Sequence, residues 1–276
     1  MTPRVSTRVA AVIGSPVRHS LSPALHNAAF EQAGLDWTFV AFEVPHGAAA
    51  AAVAAMRALG IRGLSVTMPH KEDVAAAADT TDAGARELRS ANTALLRDDG
   101  TTLATSTDGA GFVQSLRAAG VDPQGCRVVV LGAGAAARSI VHALGGVGAS
   151  DVAIVNRSAR RATETAALAD VARVAESTAI TGADIVVNAT SVGMGSDESP
   201  CDPELLRPQH VVADIVYHPL DTALLRAARS AGAHTVDGLG MLVHQAVLQH
   251  ELWTGCRPDP AVMRASAEAE LAAPGR

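Results

Sequence analysis

Aromatic residues are nearly absent from this chain of 276, which has one tyrosine, two tryptophans and four phenylalanines. Stacking platforms for single-stranded bases are thereby excluded, and the cores have to be filled by Ala, Val, Leu and Ile. Cysteine is scarce as well: Cys126, Cys201 and Cys256 stand far apart, with no CxxC and no Cys/His ligand spacing. That pattern excludes a disulfide-stapled secreted domain and gives no metal site, leaving incidental thiols. Positive charge is in deficit, with 22 Lys+Arg against 28 Asp+Glu, a formal charge of −6 and no block of like charges. Nucleic acid and anionic membrane surfaces are poor partners for such a chain, because their affinity rests on a basic field. Lysine in particular is rare, the basic residues being mostly arginine. Long apolar runs are missing too. The run nearest the start, Val9 to Ile13, spans five residues, too short for a signal sequence. No later run approaches the ~18 residues of a membrane span, and the expectation is a cytoplasmic protein.

What is present is an apolar, weakly charged chain, 48% hydrophobic and 18% charged, long enough for two modest domains. Short β-branched runs recur, each followed by small residues and an Ala/Leu-rich stretch. Val9–Ile13 leads into a Ser/Pro/His loop and the helix-like SPALHNAAFEQAG, with Gly34 as its stop. Trp37 to Val44 alternates as a strand, Gly47 to Gly60 reads as a helix, and Gly63 to Thr67 as a third strand, with helix again from Lys71. A second series begins at Arg127-Val-Val-Val-Leu131, an unbroken apolar run of the kind buried on both faces, and continues at 152–155, 185–187 and 211–215. Alternation of this sort predicts βαβ units in an α/β fold. The expected organisation is a parallel or mixed α/β substrate domain over 1–107, a doubly wound domain over 108–238, and a helical tail over 239–276 that completes the first domain.

The second series opens on a nucleotide-binding turn. Gly132-Ala133-Gly134-Ala135-Ala136-Ala137 fits G-x-G-x-x-G/A between a strand and an Ala-rich helix. Gly132 permits the tight turn, Gly134 lets a pyrophosphate approach the backbone, and the small Ala137 allows close helix–strand packing. At the end of the next strand, where an NAD site carries Asp or Glu, this chain has Asn156-Arg157-Ser158, with Arg160 and Arg161 behind. Guanidinium groups suit a 2′-phosphate, so the expected cofactor is NADP(H), with Arg160 read as a solvated residue of a basic turn.

Polar residues in the first half are out of place in an Ala-rich shell unless they face a ligand. Ser20 and Ser22 lie two apart, and Ser22-Pro23 also reads as an N-cap followed by proline at the first helical position. Ser65 and Thr67 alternate at a strand end, and Lys71 follows four residues on. Ser90-Ala-Asn92-Thr93 and Thr105-Ser-Thr107-Asp108-Gly109 complete the set.

Taken in order, G-S-P-x-x-H-S-x-S-P, S-V-T-x-P-x-K, A-N-T, T-D-G, G-A-G-x-x-A, N-R-S, N-A-T-S and D-G-L-G-M-L-V-x-Q resemble the shikimate dehydrogenase family over roughly residues 9 to 255. The resemblance implies an NADPH-dependent, reversible reduction of 3-dehydroshikimate to shikimate in aromatic amino-acid biosynthesis. By position it implies that Ser20 and Ser22, with Tyr217 nearby, bind the substrate carboxylate, and that Thr67, Asn92, Asp108 and Gln245 meet the ring hydroxyls. Lys71 and Asp108 resemble the catalytic pair. Gly132 to Ala136 would hold the pyrophosphate, Asn156, Arg157, Ser158 and Arg161 the adenosine phosphate, and Thr190, Ile215, Gly238 and Met241 the nicotinamide half. Helical Met241 is equally a core residue, and a phenol bonded to backbone is the plain reading of Tyr217. The chain departs from the family's usual pattern at Ser65 and Ser106, each replacing Asn, and at Arg89-Ser90. A quinate/shikimate enzyme or a secondary-pathway paralogue is therefore the alternative substrate reading, and a non-catalytic NADP-binding sensor the alternative of another class. The expected partner is a small-molecule substrate, with a homodimer as the expected assembly if the chain associates.

Overall fold

A computed structural model describes residues 2–273, which divide into two compact units, 2–107 with 245–273, and 108–244. The first unit contains β1 (Arg8–Gly14), α1 (Ser22–Gln32), β2 (Trp37–Glu43), α2 (Ala49–Leu59), β3 (Ile61–Val66), α3 (Lys71–Ala77), β4 (Thr80–Thr81), α4 (Ala83–Leu88), β5 (Thr93–Leu96) and β6 (Thr102–Thr105). Its sheet runs β2-β1-β3-β5-β6-β4. Pairing is parallel across β2, β1 and β3, antiparallel from β3 through β5 to β6, and parallel again at β4. Both faces are covered. Ala11 and Ile13 of β1 enter one apolar cluster with Val53, Met56 and Leu64, while the intervening Ala10 and Val12 enter another with Phe30, Phe39 and Trp253. That period of two is what a strand buried on both sides requires.

The second unit contains α5 (Asp108–Ala118), β7 (Arg127–Leu131), α6 (Ala135–Gly146), β8 (Asp151–Val155), α7 (Ala159–Ala166), β9 (Ala172–Val174), β10 (Ile185–Asn188), β11 (Val211–Asp214), α8 (Ala223–Ser230) and β12 (His234–Val236). The strands form one wholly parallel sheet in the order β9-β8-β7-β10-β11-β12. The order reverses between β7 and β10, which is the Rossmann topology and puts a switch point at the carboxyl ends of those two strands. Val128 and Val130 of β7 pack with α6 residues Ile140 and Leu144, and Val129 and Leu131 pack with Leu224 and Leu225 of α8. The α/β class with a doubly wound second sheet, read from the apolar runs, is thus what the chain adopts.

Two helices close the chain, α9 (Gly238–Thr254) and α10 (Pro260–Leu271). Residues of α9 up to His244 belong to the second unit and those from Gln245 to the first. In the first unit Trp253 lies over β3, where a Cβ on Gly63 would stand 2.5 Å from the indole. The indole N–H donates to the Ala94 carbonyl at 3.1 Å. Glycine at this place in a strand is therefore explained by close approach of a helix. Helix α10, which has Asp259 as N-cap and Pro260 at its start, packs on α1, with Ser266 donating to the Ala24 carbonyl at 2.9 Å.

Helix α1 differs from the sequence expectation at its start. Ser22 is its first residue and Leu21 the cap, with no side-chain capping bond, and Pro23 falls one position further in. It is the Ser20 hydroxyl that accepts the Ser22 backbone N–H, at 3.2 Å. The cause is the helical conformation of Leu21 itself (φ −83°, ψ −10°), which starts the helical backbone one residue early. Gly34, by contrast, closes α1 with φ +63° two residues beyond its end, as the sequence suggests.

Candidate active site

The first unit gathers buried polar groups at the carboxyl end of β3 and the start of β5. Asn92 is the centre. Its Oδ1 accepts the Thr107 backbone N–H at 2.7 Å and the Thr93 hydroxyl at 2.9 Å. Its Nδ2 donates to Thr107 Oγ1 at 2.9 Å and to Gln245 Oε1 at 3.2 Å, bringing together two residues 153 positions apart. Next to it Lys71 opens α3, half-buried, and its carbonyl accepts the Ala91 N–H at 2.9 Å. Thr67, half-buried just beyond β3, donates its N–H to Ile13. Ser20 is half-buried and Ser22 buried on the loop after β1. Lys71 is the only lysine of the chain.

Sequence reasoning missed Gln249. It is wholly buried, and its Nε2 donates to Thr93 Oγ1, the Asn92 carbonyl and Ser65 Oγ at 2.9, 3.1 and 3.3 Å. The available signal was Gln245 and Gln249 at i, i+4, which puts both amides on one face of α9.

In the second unit the carboxyl ends of the strands carry the nucleotide features. Gly132 has φ +113°, and a Cβ there would stand 2.9 Å from both the Ala189 carbonyl and the Thr190 side chain. Only glycine meets both conditions. Gly134, the N-cap of α6, is exposed with nothing within 4 Å of its Cβ position, as are Ala135 and, in part, Ala136, while Ala133 is buried. The first turn of α6 thus presents backbone N–H groups to open space, the arrangement that receives a phosphate. Gly238 starts α9 so close to β11 that a Cβ would meet the Val216 carbonyl at 2.3 Å and the Ile215 carbonyl at 2.7 Å.

Asn156, Arg157, Ser158, Arg160 and Arg161 line a surface basin of about 560 Å³. Arg160 is ion-paired with Glu164 one turn along α7, whereas Arg157 and Arg161 have no carboxylate partner among the described residues. Ser158 caps α7 by accepting the Arg161 N–H at 3.4 Å, and Asn156 Nδ2 donates to the Ser158 carbonyl at 3.0 Å. Two exposed guanidiniums without a counter-charge, in a basin holding no acidic residue, fit the 2′-phosphate of NADP(H) and not a bare ribose hydroxyl. Met241 is buried in the core cluster with Phe112, Val130 and Ile140.

A second buried network lies at the carboxyl ends of β10 and β11. Asn188 at the end of β10 donates to Asp214 at 2.9 Å and to the Val192 carbonyl at 3.1 Å, and accepts from the Thr190 N–H and hydroxyl at 3.1 and 2.7 Å. Asp214 also takes the Val216 N–H and the Thr222 hydroxyl. Burial pushes its carboxyl above the ordinary range, against those bonds, which favour the charged form. The network fixes the loops bearing Thr190 and Ile215. Tyr217 and Asp108 also lie in this unit, half-buried and buried respectively, Asp108 as the first residue of α5.

Comparison with known proteins bears on these features directly. The family model for the shikimate dehydrogenase substrate binding domain matches residues 12–94, that for shikimate / quinate 5-dehydrogenase matches 116–194, and that for the shikimate 5′-dehydrogenase C-terminal domain matches 238–268. Shikimate dehydrogenase (NADP(+)) of Moorella thermoacetica is 42% identical over 273 residues, 94% of this chain and 92% of that one. The chain belongs to the shikimate dehydrogenase family. Among solved structures, shikimate 5-dehydrogenase of Thermus thermophilus in complex with NADP(H) and shikimate superposes with a TM-score of 0.91 at 35% identity, over 95% of this chain and 99% of that one. A 5-ketofructose reductase of Gluconobacter, ligand-free, gives 0.89 at 34% identity, over 97% and 100%. Members of the family's fold therefore serve more than one ketone.

Proposed function

We propose that the protein reduces 3-dehydroshikimate to shikimate with NADPH, reversibly. The observation that carries this reading is the pairing, within one chain of this family, of the buried Asn92–Thr107–Gln245 cluster beside Lys71 with an Arg157/Arg161 basin suited to a 2′-phosphate. When bound, NADPH supplies a hydride to the ketone carbon. The alkoxide charge that develops on oxygen needs a nearby cation able to give up a proton, and an ammonium does both. Lys71 is that donor: its Nζ–H passes to the oxygen as the C–O π bond is lost, leaving a neutral amine that regains a proton from solvent. Asp108 is the second member of the catalytic pair and accepts from a ring hydroxyl of the substrate. Supporting this role, Thr107 directly before it is bound at both its N–H and its hydroxyl to Asn92. Ser20 and Ser22 give hydroxyl donors to the carboxylate, Tyr217 adds a phenol donor to it, and Thr67, Asn92 and Gln245 orient the ring hydroxyls. Ser22, not spent on capping, has its hydroxyl available for that purpose.

Steady-state comparison tests the reading. kcat/KM for shikimate with NADP+ should exceed that for quinate and that with NAD+, and a preference for quinate would move the protein to the alternative substrate class. Replacing both Arg157 and Arg161 by Ala should raise KM for NADPH about 10- to 100-fold, as expected for losing charge-assisted bonds to phosphate, with kcat little changed. NADH kinetics should be untouched, since NADH has no 2′-phosphate. Equal losses with both cofactors would show that the arginines do not read that group. Among the described residues no helix is long and apolar enough to cross a membrane, and no cluster of His, Cys, Asp and Glu is placed to hold a metal ion.

A further inference from the structure

We propose that Gln249 is a positioning residue for substrate selection, setting the distance and polarity at which Gln245 and Asn92 meet the ring hydroxyls. The proposal rests on the functional reading above, in which those two amides bind substrate.

A carboxamide NH2 has two hydrogens, and Gln249 spreads them over three acceptors: Thr93 Oγ1, the Asn92 carbonyl and Ser65 Oγ. All three belong to β3 or the start of β5, so one buried side chain ties α9 to both strands. Gln245 stands one turn earlier on the same face of α9, and its position relative to Asn92 follows from that tie. Polarity follows as well. Having accepted from Gln249, the Thr93 hydroxyl turns its own proton to Asn92 Oδ1, at 2.9 Å. That oxygen also holds the Thr107 N–H, so Asn92 Nδ2 is the side that faces Gln245 Oε1, at 3.2 Å. The Gln245 amide is oriented in turn, with Nε2 as its donor side. The direction therefore runs Gln249, Thr93, Asn92, Gln245, and it sets Nε2 as the donor side of the Gln245 amide. Ser65 Oγ, engaged as an acceptor from Gln249, keeps its own O–H as a donor. None of this requires Gln249 to touch substrate.

The test uses the whole enzyme, first shown to turn over shikimate with NADP+. Gln249→Leu keeps the bulk and deletes the donors. It should raise KM for shikimate about tenfold, the scale of one or two buried hydrogen bonds, while KM for NADP+ stays within about twofold. Thr93→Val removes one of the three links, leaves the Asn92 carbonyl and Ser65 to hold Gln249, and should shift KM for shikimate in the same direction by less, which keeps the test open if Gln249→Leu folds poorly. In a Gln245→Leu background, adding Gln249→Leu should raise KM for shikimate by clearly less than it does in the wild type, because part of its effect runs through the Gln245 amide. Fully multiplicative effects, or parallel changes in both KM values, would overturn the positioning role while leaving the functional reading intact. A wild type inert toward shikimate and NADP+ would instead overturn that reading.

Discussion

Lys71→Ala should lower kcat at least about 100-fold while leaving KM for substrate within a few-fold of wild type, the pattern of a lost general acid. Lys71→Arg separates two contributions. Arginine keeps the positive charge but does not release a proton in the working range, so a loss as large as that of alanine would assign Lys71 to proton transfer, whereas partial recovery would assign it to charge stabilisation alone. The composition makes a chemical version of this experiment specific. Because the chain has a single lysine, a lysine-directed reagent that abolishes turnover, with shikimate protecting, acts at Lys71 once any reaction at the chain terminus has been subtracted. Near-normal kcat in Lys71→Ala would remove it from the mechanism.

Stability should fall steeply below neutrality because of two buried histidines that the chemistry does not use. His26 of α1 stacks on Phe39 with centroids 4.4 Å apart, and His250 of α9 lies parallel to it at 6.1 Å. Neither ring nitrogen of His250 has a hydrogen-bond partner among the described residues, and His26 has only the Gln249 amide beside it, which offsets part of its shift. Burial, then the neighbouring His250, brings His26 down to about 3, and burial brings His250 to about 4. In the unfolded chain both titrate near about 6.5. Above that pH both states hold neutral imidazoles and stability is complete. Below it the unfolded chain takes up protons the folded one refuses, so stability drops until the folded values are reached, by about 1.4 kcal/mol per pH unit for each histidine. Urea unfolding at about pH 7.5 and about pH 5 should therefore differ by several kcal/mol, and His26→Leu with His250→Phe should flatten most of that slope. An unchanged slope in the double variant would place the acid lability elsewhere. Asp79, held at about 2 by the Thr102 backbone and hydroxyl and by Arg57, loses its contribution only at lower pH.

Local signals explain what was legible beforehand. The Arg127–Leu131 run announces a strand buried on both faces, and Gly132 and Gly134 directly after it announce the turn into α6, because neighbouring residues alone decide both. Arg157 and Arg161, in place of the acidic residue of an NAD site, were likewise readable just after the next strand. What was not readable depends on residues far apart. The antiparallel β5–β6 pair and the two-residue β4 are too short for a periodic pattern. The Gln249 bond to Ser65 joins positions 184 apart. The role of Ser22 hinged on a single backbone conformation at Leu21. The buried pair His26 and His250 sits in sequences that read as ordinary amphipathic helix, and only packing reveals that both rings are wholly enclosed.

The central claim, an NADPH-dependent ketone reduction served by Lys71, is tested most directly by mixing purified protein with 3-dehydroshikimate and NADPH and following reduced nicotinamide while shikimate is identified chromatographically. Loss of NADPH in step with the appearance of shikimate, abolished in Lys71→Ala, is the predicted result. NADPH binding with no turnover of either 3-dehydroshikimate or its quinate counterpart would contradict it and leave a nucleotide-binding protein without this chemistry.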